Sequence, residues 1–346
     1  MLNGKALIIA TKPYAKEDRA RSWRVTIGTL LLLIAAIAAT VLAPYVWLKL
    51  VFAVLTGLLN VRMFIIYHDF QHHTILHHSK PANALMTVFG LYVLAPASIW
   101  KRSHDYHHKH NSKLFSASIG SYPIATKQKF LAMSKSEKRA YLATRHPLTI
   151  LLGYLSMFMI GMCFNSFSNS PKKHIDSLVA LILHFTAAAL IIIFAGWQTW
   201  LFAMLIPSLV ASAIGAYLFY AQHNFPGVVF AENEGWTYEK AALQSSSYMT
   251  MNPVMHWFTG NIGYHHIHHL NARIPFYRLP ETLQAFPELQ HAKTTSLRPK
   301  DIIACFKLKV WDPELQCMTG LPETEAATES ACEKVAAALR KKQAAI

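Results

Sequence analysis

The histidines of this chain gather in three short runs: HDFQHH (His68, His72, His73), HDYHHKH (His104, His107, His108, His110) and HHIHH (His265, His266, His268, His269). Neutral imidazole is a borderline ligand suited to iron, copper, zinc or nickel. Positions i and i+4 share one face of a helix, so His68 and His72 can hold one metal together. The second and third runs both contain H-x-x-H-H. With 19 histidines in 346 residues, that pattern is expected about 0.06 times by chance, and a pair of them about thirtyfold less often. A set of imidazoles drawn from several segments can build a two-metal site. Each ligating ring also needs its second nitrogen held, and Asp69 and Asp105 sit directly beside His68 and His104. They are the candidates for that role, with a solvated loop aspartate as the equal alternative for each.

The elements that must position these runs are read from hydropathy. The chain is 53% hydrophobic and only 15% charged, which points to a bilayer as its solvent. Apolar stretches lie at roughly 25–43, 46–66, 84–100, 148–164, 178–195 and 198–221, each near or somewhat below the length a bilayer core needs. For the histidine runs to meet on one side, the chain must cross an even number of times between them. The stretches 84–100, with Gly90 and Pro96, and 148–164, after Pro147, are the shortest and read as re-entrant or interfacial segments. Four spans in two hairpins remain.

This arrangement puts the N-terminal Lys and Arg, the basic stretch 101–145, Lys172, Lys173 and the C-terminal third on one side, as the positive-inside rule asks of the cytoplasm. The formal charge of +15 suits an anionic membrane surface or an acidic protein partner. Nucleic acid is excluded as a partner because the cations flank apolar runs and form no reading element. Residues 1–24 are polar and basic and carry no cleavable signal, so both termini and the histidine runs are expected in the cytoplasm. Residues 25–315 form the membrane domain and 316–346 a charged tail, of which the Ala-rich stretch 322–346 reads as helix. Cys163, Cys305, Cys317 and Cys332 are widely spaced and read as free thiols.

The runs resemble the three histidine boxes (HxxxH, HxxHH, HxxHH) of the integral-membrane fatty acid desaturases, in order, spacing and position beside spans. YAQHNFPG (220–227), ALQSSSY (242–248) and HWFTGNIGYHHIHHLNARIPFYRLPE (256–281) resemble bacterial and cyanobacterial acyl-lipid desaturases of the omega-6 (Δ12) and Δ5 type, a similarity covering about 45–315. The resemblance implies an all-α membrane protein whose cytoplasmic helical cap holds two iron ions. It implies an enzyme that uses dioxygen and two donated electrons to place a cis double bond in a membrane-lipid acyl chain, with Δ12 as the first expectation. Carried over position by position, the iron ligands are His68, His72, His104, His107, His108, His223, His265, His268 and His269. His73 is a possible additional ligand, and His266 is a spacer.

The first box reads HDFQHH where many relatives carry Cys-Gly between the histidines. The only His-Pro, His146-Pro147, lacks the Gly-Gly of a cytochrome b5 haem loop, so a separate donor such as ferredoxin or flavodoxin is expected, docking on the basic face. His77, His78 and His110 read as surface residues, His256 as a neighbour of the site or an ordinary surface residue, and His184 as a hydrogen bond between spans. Tyr67, Tyr264, Trp100 and Trp257 read as interface anchors. Three other readings stand beside this one. A membrane hydroxylase or ketolase acting on an alkane, carotenoid or sterol would share the boxes. An intramembrane zinc protease would need Glu where Asp69 stands. A metal transporter would want ionisable groups inside the spans.

Overall fold

In the computed structural model, which describes residues 2, 4–114, 121–232 and 234–322, the four expected spans are four long apolar helices. They are Arg19–Leu42, Val46–Gln71, Ile175–Ala195 and Trp197–Ala221. Local chemistry sets their ends. The Asp18 carboxylate caps the first by accepting the Arg21 N–H at 2.9 Å. Pro44 turns the chain into the second, and Gly196, at φ +83°, makes the turn between the third and fourth. A π-helical stretch at Leu201–Leu205 precedes Pro207 in the fourth span, where the missing N–H loosens the backbone ladder.

The spans pack through small residues rather than through a hydrophobic stripe, because lipid is as apolar as leucine. The first span buries Ser22, Thr26, Thr29, Leu33, Ala36 and Thr40, at alternating spacings of four and three, against the second. Thr26 and Thr40 donate to the carbonyls of Ser22 and Ala36, each at 2.8 Å, so their hydroxyls are satisfied within the helix. Leu31, Leu42, Ile193 and Phe194 are exposed on the outer faces, where acyl chains would cover them.

The fourth span lies against the second and against the helix Pro147–Leu151. Its closest approaches fall on two glycines. A Cβ on Gly57 would stand 2.7 Å from the Val210 side chain, and one on Gly153 would stand 2.8 Å from the Ala216 Cβ. After Pro147–Leu151 the chain continues through a π-helical segment, Tyr154–Asn165. There Ser156 Oγ bonds back to the carbonyls of Thr149 at 2.6 Å and Leu152 at 3.2 Å. Residues 84–100 fall within a pair of helices, Lys80–Tyr92 and Ala97–His110, which meet at 90°.

Beyond the fourth span, short helices and four three-residue strands form the polar cap. Tyr248–Thr250 pairs in parallel with Thr294–Ser296, and Val310–Asp312 pairs antiparallel with Cys317–Thr319. These strands are the departure from an all-helical chain. Cys163 and Cys305 are free thiols as expected, whereas Cys317 is in a disulfide, which corrects the reading of four free cysteines. The tail helix expected at 322–346 lies outside the described residues from 323 onward.

The glycine contact gives a paired test. Gly57→Leu forces a side chain into the second–fourth span contact and is expected to cost about 1–3 kcal/mol, whereas Gly28→Leu enters open space. Thermal unfolding in detergent should fall for the first variant and stay near the parent for the second; equal midpoints would show that the close approach is unimportant.

Candidate metal centre

Three helices and one loop bring the histidines together. His68 lies in the last turn of the second span and His72 caps its C-terminus. His104, His107 and His108 lie on the helix Ala97–His110, and His265, His268 and His269 on the six-residue helix His265–Leu270. His223 follows the fourth span directly. Their ring nitrogens fall into two groups, each with one ligand atom per residue and all such atoms within 4.8 Å of one another. One group is His68, His72, His104, His108 and His268; the other is His107, His223, His265 and His269.

The split explains the H-x-x-H-H pattern. In an α-helix the i and i+4 positions share a face while i+3 is rotated off it. His104 and His108 therefore enter the first group and His107 the second. In the third box the assignment is reversed, with His265 and His269 in the second group and His268 in the first. Each H-x-x-H-H helix thus gives a pair to one group and a single imidazole to the other.

The contacts within each group run Nε2 to Nε2. In the first they are His68–His104 at 2.9 Å, His104–His108 at 3.1 Å and His108–His268 at 3.0 Å. In the second they are His107–His223 at 3.0 Å, His107–His269 at 3.2 Å, His223–His265 at 2.8 Å and His265–His269 at 3.1 Å. The opposite ring nitrogens fix several tautomers. His223 Nδ1–H donates to the Ser245 carbonyl at 2.9 Å, which can only accept, so the His223 Nε2 lone pair points inward. His68 Nδ1 donates to the Asp69 carboxylate at 3.0 Å, and His107 Nδ1 meets Ser121 Oγ at 2.7 Å.

Burial favours the neutral form of His72, His104, His107, His108, His223, His265, His268 and His269. Burial, reinforced by the neighbouring imidazoles, holds His72, His265, His268 and His269 well below the ordinary histidine range. His223 is pushed down to about 4 by burial, partly offset by the Ser245 carbonyl. The buried His72 Nε2 has no hydrogen-bond partner. Converging neutral nitrogens repel unless a cation lies among them. Metal–imidazole bonds of about 2.1 Å allow ligand nitrogens on one ion to lie up to about 4.2 Å apart. The donor set therefore fits two transition-metal ions, the all-nitrogen character favouring iron, copper, zinc or nickel over calcium or magnesium.

Comparison with known proteins agrees with this geometry. Residues 45–298 match the fatty acid desaturase family. The chain belongs to that family. It is 32% identical over 269 residues to a fatty acid desaturase of Bacillus subtilis (strain 168), covering 77% of this chain and 76% of the relative. It is 22% identical over 277 residues to the sn-1 oleoyl-lipid 12-desaturase of Anabaena variabilis, covering 79% and 78%. A third relative, the sn-1 acyl-lipid omega-3 desaturase (ferredoxin) of Synechocystis sp. (strain ATCC 27184 / PCC 6803 / Kazusa), is 25% identical over 257 residues, 68% of this chain and 66% of that one.

Around the centre of this desaturase, several expected residues stand elsewhere. Asp69 is buried and touches both sides of the site: Oδ1 accepts from His68 Nδ1, and Oδ2 accepts the Phe276 N–H at 2.7 Å. Asp105 instead pairs with Lys101 at 2.9 Å on a half-exposed face. His73, at φ +56°, turns out of the centre and lies 4.3 Å, ring to ring, from His77. His266 points the other way and donates Nε2–H to the Leu289 carbonyl at 3.1 Å, as a spacer should. His184 makes the expected contact between helices, 2.5 Å to the Tyr154 hydroxyl.

Tyr67 and Trp100 are not interface anchors, since both are buried. Trp100 stacks on His104 at 4.6 Å and meets His68 edge-on at 5.6 Å, and the Tyr67 hydroxyl donates to the Ala95 carbonyl at 2.8 Å. Their apolar faces wall the first group against the membrane-facing core. Trp257 is exposed. Arg62 escaped attention in the sequence, although a cation inside an apolar run was the signal. Its guanidinium lies 4.0 Å from the Trp257 ring, donates Nε–H to Thr29 Oγ1 at 3.2 Å, and reaches the Trp257 carbonyl. It ties the short helix Pro253–Phe258, ahead of the third box, to the span that carries the first.

Asp69→Ala removes the acceptor for His68 Nδ1 and the anchor for Phe276 together. The expected outcome is a 10- to 100-fold loss of metal affinity, read as faster loss of metal to a chelator. Asp105→Ala should match the parent in the same assay, and a matching Asp69→Ala would remove Asp69 from the site.

Proposed function

We propose that the two imidazole groups each hold an iron ion and that the desaturase places a cis double bond in a membrane-lipid acyl chain. The ligands are His68, His72, His104, His108 and His268 for one ion, and His107, His223, His265 and His269 for the other. The observation that carries this reading is the convergence of nine imidazoles, seven of them buried, into two adjacent groups in a chain of this family. When bound, the irons supply the reduction of dioxygen to water coupled to removal of two hydrogens from the chain. The protein's residues hold lone pairs inward through Asp69 and the Ser245 carbonyl, and Ser121 Oγ bonds the His107 ring. Trp100 and Tyr67 exclude water on one flank, and an acyl chain must be held so that one methylene faces the centre.

The Δ12 (omega-6) position is the one we assign first, with Δ5 as the alternative that the resemblance carries. The Anabaena variabilis relative is named for oleoyl-lipid 12-desaturation. The electron donor in this reading is a ferredoxin or flavodoxin meeting the basic face of a chain with formal charge +15. One cyanobacterial relative is named for ferredoxin. The domain 25–315 lies in the bacterial inner membrane, with the boxes, residues 1–24 and the tail 316–346 on the cytoplasmic side, as the distribution of Lys and Arg supports.

The test is mass spectrometry of total fatty acids from a host expressing the chain with a ferredoxin system, with double bonds located by derivatisation. The parent should yield a new unsaturated species and bind two irons. His265→Ala should yield none while remaining in the membrane, whereas His73→Ala should act as the parent does. Oxygenated products would favour the hydroxylase or ketolase reading, and activity in His265→Ala would sink the ligand assignment.

A further inference from the structure

The chain that leaves the second span after His72 is bent in a costly way. His73, Leu76 and His78 have φ of +56°, +52° and +62°, in the left-handed region that residues with a Cβ rarely adopt. They are three of the seven non-glycine residues with positive φ among the described residues, so strain is concentrated in one short turn. Strain of this kind persists only where the surrounding structure over-determines it.

Two distant segments hold the turn. Thr74 Oγ1 donates to the Ala272 carbonyl, just after the third box, at 2.7 Å. The other holder is the N-terminal segment: Glu17 Oε1 accepts the Leu76 N–H at 2.7 Å, and Arg19 Nη1 donates to the His77 carbonyl at 3.1 Å. Leu76 is fully buried, where a backbone N–H without an acceptor is costly. The segment is itself fixed to the cap. Leu7 and Thr11 are buried, Asn271 Nδ2 donates to Thr11 Oγ1 at 3.0 Å, and the Tyr277 hydroxyl donates to the Asp18 carbonyl at 3.2 Å.

His72 is the ligand that depends on this turn. His68 Nδ1 and His223 Nδ1 each bond an outer acceptor, whereas the His72 ring has no hydrogen-bond partner among the described residues. It is also the one member of the first group that is not buried. Its direction is set by the rings it touches, His68 and His108 each at 4.7 Å, and by the backbone that carries it.

We propose that Glu17 is a positioning residue for the first imidazole group: by holding Leu76 in its left-handed conformation, its carboxylate fixes the turn that aims His72 at the metal. The inference rests on the reading of His72 as a ligand and does not depend on the acyl product.

The test is the absorption spectrum of the full chain loaded with Co2+ in detergent, since the bands of this ion report the number and arrangement of its ligands, together with the rate of cobalt loss to a chelator. Glu17→Ala should change the spectrum and speed cobalt loss about tenfold. Two further variants separate reach from charge. Glu17→Gln keeps an oxygen within reach of the Leu76 N–H and should retain the parent spectrum; Glu17→Asp keeps the charge but is one methylene short and should behave as Glu17→Ala does. The opposite order, Gln altered and Asp like the parent, would assign the effect to the Arg19 ion pair at 3.7 Å and overturn the proposal even if Glu17→Ala fails to fold. A lowered thermal midpoint with the parent spectrum in both Glu17→Ala and Glu17→Asp would make Glu17 merely structural, which also overturns it. His72→Ala is the control beneath: an unchanged spectrum there removes His72 as a ligand, whereas a changed one beside parent-like Glu17 variants removes the positioning role alone.

Discussion

Everything in this fold answers to one constraint: nine imidazoles, seven of them buried, must be held with their ring nitrogens converging. Water cannot relieve that crowding, because the rings are buried, and protonation cannot either, because burial disfavours the charged form. The chain meets the constraint with helical periodicity. Two H-x-x-H-H helices cross so that each supplies an i, i+4 pair to one group and its i+3 ring to the other. Neither group can form unless both helices are in place, which makes the two imidazole groups one structural unit rather than two independent ones.

The membrane spans matter chiefly as the fixed ends from which these helices are aimed. The second span delivers His68 and His72 and, through Asp69, accepts the Phe276 N–H of the chain just after the third box. The same span sends Arg62 to the short helix ahead of that box. The third span reaches the second box: Asp176 accepts the Ser98 N–H at 3.1 Å and the Ser98 hydroxyl at 2.5 Å, capping the start of Ala97–His110 from outside the helix. The second and third boxes are therefore each pinned by a polar group from a distant span. These bonds hold because they form in a low dielectric, away from competing water.

What could be read in advance follows from the range of each interaction. The spans expected at 25–43, 46–66, 178–195 and 198–221 have counterparts in Arg19–Leu42, Val46–Gln71, Ile175–Ala195 and Trp197–Ala221. Hydropathy missed their polar ends, because the last turns carry the functional residues: His68 and Gln71 are helical yet not apolar. The histidines whose convergence the structure displays were legible because their spacing is a local property of one helix. Asp105 looked as good as Asp69 by adjacency, but one step along a helix is a rotation of about 100°, and only the fold decides which neighbour faces inward. Tyr67 and Trp100 failed for a related reason: an aromatic beside a span end suits an interface or a buried wall equally well. The Ser245 carbonyl and Ser121 hydroxyl could not be found at all, since a backbone acceptor carries no sequence signature.

Crowding also links metal to stability. A folded chain without cations must hold seven Nε2–Nε2 contacts of 2.8–3.2 Å. At least one nitrogen, that of His223, is committed to its lone pair by the Ser245 carbonyl. Protons shared between rings can satisfy some of these contacts but not all, because a ring whose Nδ1 donates outward has no proton left to give inward. Binding a metal removes the conflict wherever it occurs, and it stabilises the folded state alone because the unfolded chain has no such convergence. The spans contact lipid and need no metal to remain helical, so the free energy of metal binding is concentrated in the polar cap. The interaction proposed to hold the metals would therefore also order the helices around it.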